Sequence, residues 1–247
     1  MTERTTTSPR RHNPAAGLIA AVLIAACATP GSEPNLVAVP AVARVPECVQ
    51  PGMDTQSSVV RIATDVGAHG SGVVIGHNRV LTAAHVVADA GATRIALENK
   101  IYEPARVLAV DTGLDLALLD ADTGELAPVP ITHDALTRYE DVWAIGFPLA
   151  LDMAVTQGRF QHAANGKLYT SAWITAGVSG GGLMRCHHGA YELAGIMRDY
   201  VAFLRGDSYV NASQSTSTPA PSILAFLERV DATAEQIDAG SVSAALP

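Results

Sequence analysis

The chain contains 247 residues, of which 48% are hydrophobic and only 16% charged, with a formal net charge of −8 at neutral pH. This composition provides the apolar material for a folded core and excludes a disordered chain, which would be more polar and more highly charged. The negative charge, with no basic run beyond Arg10 and Arg11, argues against a nucleic-acid partner, and no apolar stretch reaches the 18 residues expected in a protein with several membrane spans.

The N-terminal segment has the pattern of an export signal. Arg10 and Arg11 precede a run of small and apolar residues at 15–26, and Cys27 follows directly. A positive start, a short apolar centre and small residues at its end are typical of a secretory signal. The end of the run, Leu-Ile-Ala-Ala-Cys, resembles a bacterial lipobox, and this resemblance implies cleavage before Cys27 and attachment of lipid to that residue.

We therefore predict a signal peptide at 1–26 and a lipid-anchored tether at 27–56, in which four prolines lie among small residues at 28–46. The membrane would then be a partner through the N-terminal lipid, with the protein facing the periplasm or the cell exterior. Two alternatives stay open, namely plain secretion after cleavage at Ala28 and an uncleaved anchor, although twelve apolar residues are short for a membrane span.

Two cysteines, Cys48 and Cys186, remain after such cleavage. An exported protein can form disulfides, and two thiols allow only one pairing. The sequence therefore predicts a disulfide between Cys48 and Cys186, with two reduced and buried cysteines as the alternative.

From residue 57 the chain becomes a series of short β-rich runs separated by turn residues. The first six are 58–64, 72–76, 80–82, 94–97, 105–110 and 114–119, and the second six are 141–145, 153–157, 168–171, 182–185, 192–196 and 208–211. Short strands at this spacing predict an all-β barrel or sandwich. One helical pattern follows at 222–230, with Ser222 as its N-cap, and we predict a loose tail at 231–247.

Three local patterns carry the residues of a nucleophilic mechanism. His85 ends a strand after small residues, and Asp115 heads an apolar strand where its carboxylate needs a hydrogen-bond partner. Ser179 lies among glycines at 177–182, which let the backbone turn sharply and bring N–H groups beside the hydroxyl. A serine needs a base to become nucleophilic, and the base needs an acid that orients it. Together the three residues predict this chemistry.

Two other acids compete for the role of Asp115. Asp111 lies in the turn before the same strand, and Asp89 lies four residues after His85. The position of Asp115 at the head of the strand favours it over both.

In this order the three patterns resemble the trypsin/chymotrypsin-fold serine proteases. Thr-Ala-Ala-His at 82–85 and Gly-Val-Ser-Gly-Gly at 177–181 match the two signatures of that family. Three further segments resemble the bacterial high-temperature-requirement, or Deg-type, branch: 70–75 its opening strand, 115–119 its aspartate strand and 142–148 the start of its second barrel. The resemblance covers about residues 57–230 and does not extend to a peptide-binding appendage domain.

The resemblance implies two six-stranded antiparallel β-barrels, at about 57–125 and 136–215, a short C-terminal helix, and an active site between the barrels. It implies that His85 is the general base, that Asp115 orients it and that Ser179 attacks the peptide carbonyl. The backbone N–H groups of Gly177 and Ser179 would form the oxyanion hole. Trp173 falls where the family places the floor of the primary specificity pocket, with a packing role as the alternative.

The expected function is therefore that of a serine endopeptidase, which hydrolyses envelope or extracellular proteins through an acyl-enzyme and needs no cofactor and no metal. Two alternatives stay open. One is a glutamate-specific protease of the same fold, and the other is a proteolytically silent envelope protein that keeps the fold as a binding module. The sequence makes no prediction of the oligomeric state.

Overall fold

The computed structural model describes residues 48–97 and 102–244, with side chains described up to residue 236. The predicted signal peptide, the predicted lipidation site Cys27 and most of the predicted tether lie outside these ranges. The described part of the tether contains a short helix, α1 (Met53–Ser57), which contacts the first strand.

The first six strands close into an antiparallel barrel. They are β1 (Val59–Thr64), β2 (His69–Gly76), β3 (Arg79–Thr82), β4 (Thr93–Ala96), β5 (Tyr102–Asp111) and β6 (Leu116–Ala121). Their order around the barrel is β1-β2-β3-β6-β5-β4, and β4 pairs back with β1. Ile62, Val74, Val80, Ile95 and Leu119 fill its centre because inward residues alternate with outward ones along each strand. A single helical turn, α2 (Ala84–Val87), follows β3.

The second six strands form a second closed antiparallel barrel. They are β7 (Asp141–Gly146), β8 (Ala154–Ala164), β9 (Lys167–Thr170), β10 (Gly182–His187), β11 (Ala190–Arg205) and β12 (Ser208–Pro219). Their order is β10-β11-β12-β9-β8-β7, and β7 pairs back with β10. A 3-10 turn (Pro148–Ala150) connects β7 to β8.

The predicted fold of two six-stranded antiparallel barrels is confirmed, and each predicted β-rich run overlaps one strand. The largest difference lies in β11 and β12, which extend well beyond the runs at 192–196 and 208–211. Residues 202–209 form an exposed two-stranded hairpin. We predicted the strands from short β-rich runs between turn residues, and the charged pair Arg198-Asp199 interrupts the run that continues into this hairpin.

One buried cluster is shared by the two barrels. Val73 and Leu81 of the first barrel belong to the same cluster as Trp143, Ile145 and Ile196 of the second. Burial of apolar surface between the barrels stabilises their packing, and the loops at this junction carry the candidate site.

The C-terminal helix α3 (Ala220–Ala244) is longer than the predicted helix at 222–230, so the predicted loose tail at 231–247 is helical as far as Ala244. The helix begins two residues before Ser222, which therefore lies inside it rather than at its N-cap. Ile223 and Phe226 are buried, and the apolar stripe ends near Val230, which is why the sequence pattern ended there. Beyond that point the exposed residues include alanines, whose high helix propensity lets the helix continue without packing.

Among the helices in the described ranges, α3 included, none combines the length and the apolar character needed to cross a bilayer.

Cys48 and Cys186 lie together although 138 residues separate them in sequence. Their Cα atoms are 6.1 Å apart, within the range that a disulfide spans, and their sulfur atoms are in bonding contact. We propose that they form the predicted disulfide, which would join the segment before α1 to β10.

Candidate active site

His85 and Asp115 form the best-defined contact of the site. His85 lies in α2 directly after β3, and Asp115 is the last residue of the turn before β6. Because β3 and β6 pair side by side, the two residues meet although thirty positions separate them. Both carboxylate oxygens lie 3.0 Å from the imidazole Nδ1, and Oδ1 also accepts the backbone N–H of His85 at 3.1 Å. This leaves Nε2 as the ring nitrogen that can accept a proton.

Asp115 has a backbone conformation that few residue types adopt. Its φ is +56°, in the left-handed region that asparagine and aspartate tolerate better than most residues. Its side chain is 12% exposed. Burial raises the pKa of Asp115, but hydrogen bonds from the His85 ring and backbone and the charges of His85 and Arg198 outweigh it, so the pKa lies below its ordinary value. The carboxylate is therefore ionised at neutral pH.

The two competing acids are placed differently from Asp115. Asp111 accepts the N–H of Leu114 at 2.9 Å and pairs with Arg229 at 2.7 Å. Asp89 is exposed. Among the contacts of the described residues, neither acid touches His85. The structure thus brings Asp115, rather than its competitors, to the histidine.

Ser179 lies in the loop before β10 and lines the same cleft, of about 380 Å³, as His85 and Asp115. Its hydroxyl donates a hydrogen bond to the backbone carbonyl of Arg198 at 2.9 Å. The hydrogen bonds of the described residues include none between Ser179 and His85. The hydroxyl therefore rests turned towards the carbonyl of Arg198 on β11 rather than towards the His85 ring. Catalytic hydrogen bonds often tighten only when substrate is bound.

The loop before Ser179 presents free backbone donors. Within the described part of the chain, the N–H groups of Gly177 and Ser179 donate to no other residue. The carbonyl of Ala176 accepts the N–H of Leu149 at 2.8 Å. Because carbonyl and N–H point in opposite directions across a trans peptide, the N–H of Gly177 points away from Leu149.

Ser71 of the first barrel fixes this loop. Its hydroxyl donates to the carbonyl of Gly177 at 2.8 Å and accepts the N–H of Phe147 at 2.9 Å. Gly177 itself has a φ of +93°, and a Cβ atom there would lie 2.5 Å from the carbonyl oxygen of Phe147. Only glycine fits this position without moving the backbone.

Trp173 is not among the residues that line the cleft. It is 50% exposed, whereas Ala172 and Ile174 on either side of it are buried. Ile174, followed by Thr175, lines the cleft instead. The sequence analysis missed Ile174 by one position, because the alternation along this segment points adjacent side chains in opposite directions.

Arg198 also lines the cleft, although it was not among the residues predicted from the sequence. Its side chain is 16% exposed, and its Nε lies 3.3 Å from Oδ2 of Asp115. Its Nη1 donates to the carbonyl of Leu114 at 3.3 Å. The available signal was an arginine at the end of the apolar stretch 193–197, since a buried cation needs an acidic partner.

No three His, Cys, Asp or Glu side chains within residues 48–97 and 102–236 group in a way that could hold a metal ion.

The chain is similar in sequence to known proteases. The sequence profile of the family described as trypsin-like peptidase domain matches residues 70–195. The chain is 34% identical over 120 residues to "Protease Do-like 1, chloroplastic" of Arabidopsis thaliana, covering 42% of this chain and 27% of that protein. It is 36% identical over 91 residues to "Probable periplasmic serine endoprotease DegP-like" of Pseudomonas fulva, covering 36% of this chain and 19% of that protein.

A solved structure agrees with these relatives. The serine endoprotease from Yersinia pestis superimposes with a TM-score of 0.61 and 27% sequence identity, over 72% of this chain and 64% of that chain. The chain spans less than a third of the length of the two curated relatives described above.

Proposed function

Because this chain belongs to the trypsin-like peptidase family, with Deg-type relatives, we propose that it is a serine endopeptidase that acts on protein or peptide substrates through Ser179, His85 and Asp115. The observation that carries the proposal is the double contact of the Asp115 carboxylate with Nδ1 of His85, in the cleft that Ser179 also lines.

The first half of the proposed reaction forms an acyl-enzyme. His85 Nε2 takes the proton of the Ser179 hydroxyl as Oγ attacks the carbonyl carbon of the substrate. The electron pair of the C=O bond moves onto its oxygen. When the intermediate collapses, the C–N bond breaks, and the imidazolium of His85 gives its proton to the leaving amine. The ionised carboxylate of Asp115 stabilises the imidazolium between these two steps.

The oxyanion has two donors available to it. The N–H groups of Gly177 and Ser179, which bond to no other described residue, would hold the negatively charged oxygen. Preorganised donors of this kind stabilise the transition state without a reorganisation cost at the moment of reaction. Ser71 supports the loop that carries them through its hydrogen bond to Gly177.

The second half releases the acid product. A water molecule takes the place of the amine, His85 removes its proton, and the resulting hydroxide attacks the acyl carbon. The C–O bond to Ser179 then breaks, and the proton returns from His85 to the serine oxygen.

The cleft wall supports a preference at the cleaved bond. Ile174 and Ala176 offer an apolar surface there, and the cation that lines the same cleft, Arg198, is paired with Asp115. We propose that small or aliphatic residues precede the cleaved bond, because Ile174 rather than Trp173 lines the cleft.

Digestion of a reduced, unfolded protein tests this function. We expect the purified chain to generate new N-termini, identified by mass spectrometry, that mostly follow small or aliphatic residues. Cleavage mainly after glutamate would favour the glutamate-specific alternative. Complete absence of cleavage, in a sample whose circular dichroism shows the fold intact, would favour the proteolytically silent binding module.

We also propose that the protein is held at the cell envelope by lipid on Cys27. Several acyl chains hold a protein firmly to a bilayer, whereas one chain does so only marginally. An extended Pro-rich tether of about 20 residues, at roughly 3.1 Å per residue, would let the barrels reach up to about 60 Å from the lipid. Such a reach suits proteins of the envelope as substrates.

Cell fractionation of the wild type and of Cys27→Ser tests the anchor. We expect the wild type in the membrane fraction and the variant largely in the soluble fraction, because the variant has no site for the lipid. Equal partition of the two forms, or an unmodified mature terminus by mass spectrometry, would contradict the anchor and favour plain secretion.

A further inference from the structure

Arg198 contacts the proposed machinery at two points. Its guanidinium pairs with Oδ2 of Asp115 at 3.3 Å, and its backbone carbonyl accepts the hydroxyl of Ser179 at 2.9 Å. We propose that Arg198 is a positioning residue, which fixes the Asp115 carboxylate against His85 and sets the lower pH limit of the enzyme. The inference rests on the proposed function, because it concerns the same site.

The guanidinium is itself held in place. Its Nη1 donates to the carbonyl of Leu114, the residue before Asp115. The same carbonyl accepts the hydroxyl of Thr218 from β12 at 2.6 Å. The backbone that leads into Asp115 is therefore bonded to both β11 and β12 of the second barrel. Arg198 thus ties an acid supplied by the first barrel to the barrel that supplies the nucleophile.

The contacts of the carboxylate divide between its two oxygens. Oδ1 accepts the backbone N–H of His85, Oδ2 faces Arg198, and both oxygens lie 3.0 Å from Nδ1. With each oxygen occupied, the carboxylate cannot rotate without losing a contact. This rigidity keeps Nδ1 protonated and Nε2 free to act as the base.

The charge of Arg198 also acts on the imidazole. The Arg198 and Asp115 side chains are 16% and 12% exposed, so solvent screens their charges less than it would at the surface. The carboxylate favours the imidazolium form of His85, and a cation on the far side of the same carboxylate opposes that effect. Removal of the Arg198 charge would therefore leave the attraction of the Asp115 carboxylate for a proton on the imidazole unopposed.

The other ionisable groups near the cleft do not replace this cation. Asp199 and Tyr200 also line the cleft from β11. The carboxylate of Asp199 pairs with Lys167 at 3.0 Å and accepts the hydroxyl of Thr216 at 2.8 Å. On β3 and β5, the strands that flank β6, Arg79 pairs with Asp231, Arg106 with Asp120 and Asp111 with Arg229. Glu103 lies at the opposite end of β5 from Asp111, across from Ile95 of β4.

The rate of inactivation by a fluorophosphonate, measured from about pH 4.5 to pH 9, tests the inference without knowledge of the natural substrate. Asp115, whose pKa is lowered, stays ionised over the neutral range, so the acid limb does not report the titration of its carboxylate. In Arg198→Met we expect the midpoint of the acid limb to move to higher pH by about 0.5 to 1 unit. This is the size expected for a solvent-screened interaction between two charges.

Three variants accompany it. Arg198→Gln removes the charge but keeps a polar side chain, and we expect the same upward shift. Arg198→Lys keeps the charge, and we expect the acid limb within about 0.3 units of the wild type even if the plateau rate is lower, because lysine lacks the planar fork. Arg159→Met removes an arginine from an exposed ion pair with Asp141 and should leave the profile unchanged.

The outcomes separate this inference from the proposed function. A wild type that does not react with the fluorophosphonate would overturn the proposed function itself. A reactive wild type with an unmoved acid limb in both Arg198→Met and Arg198→Gln, whatever their plateau rates, would overturn the role of Arg198 alone. Failure of both variants to fold would also overturn it, because Arg198 would then be required for the fold rather than for the ionisation of the pair.

Discussion

Replacement of Ser179 by Ala is expected to reduce the turnover of a protein substrate by about 10⁴- to 10⁶-fold, because the three residues act as one unit and the loss of the nucleophile removes the whole covalent route. The fold should be retained. The Ser179 side chain makes one hydrogen bond, to the carbonyl of Arg198, and its removal opens no large cavity. Initial rates on an unfolded protein substrate, with circular dichroism for the fold, measure both effects.

Ser171→Ala is the matched control for this variant. Ser171 is an exposed serine eight residues earlier, and its hydroxyl accepts only the N–H of Arg159 among the described residues. We expect its activity to equal that of the wild type. Turnover by Ser179→Ala above about a hundredth of the wild-type rate would remove Ser179 from the role of nucleophile.

Replacement of Asp115 by Asn is expected to reduce turnover at neutral pH by about 10⁴-fold. An amide has one oxygen and one NH2 where the carboxylate has two acceptors, and an NH2 that faces Nδ1 bonds to it when the proton of the imidazole is on Nε2. In that tautomer Nε2 cannot take the serine proton. Asparagine tolerates the φ of +56°, so the backbone should stay in place and the loss should fall on kcat.

Asp89→Asn is the matched control for Asp115→Asn. Asp89 has a similar φ of +59° but is exposed, and we expect no change in turnover. Asp111→Asn tests the remaining competitor, whose carboxylate pairs with Arg229 rather than with His85. If Asp115→Asn stayed active while Asp111→Asn lost its activity, the role of the acid would have to be reassigned to Asp111.

The fold was predictable because its signals are local. The barrel strands contain short β-rich runs between turn residues, and such runs are visible in the sequence alone. The pairing of β3 with β6 brings His85 and Asp115 together, and both residues were identified from their positions at strand ends. By contrast, the exposed hairpin at 202–209 and the end of α3 beyond Val230 have no buried face, so periodicity gave no signal there.

The details of the site were less predictable because they depend on contacts between distant residues. Arg198 and Asp115 are 83 positions apart in sequence, and only the packing of β11 against the turn before β6 reveals their contact. The orientation of the Ser179 hydroxyl towards the carbonyl of Arg198 is a side-chain rotamer, which sequence patterns do not encode. Ile174, rather than the predicted Trp173, lines the cleft, because a shift of one residue reverses the face on which a side chain lies.

Mass spectrometric mapping of the fluorophosphonate adduct tests the central claim most directly, because the reagent reacts only with a serine that a base activates. The proposed function predicts one adduct, on the peptide that contains Ser179, with labelling abolished in Ser179→Ala and strongly reduced in His85→Ala. An unlabelled wild type with an intact fold, or an adduct on another residue that persists in Ser179→Ala, would contradict it.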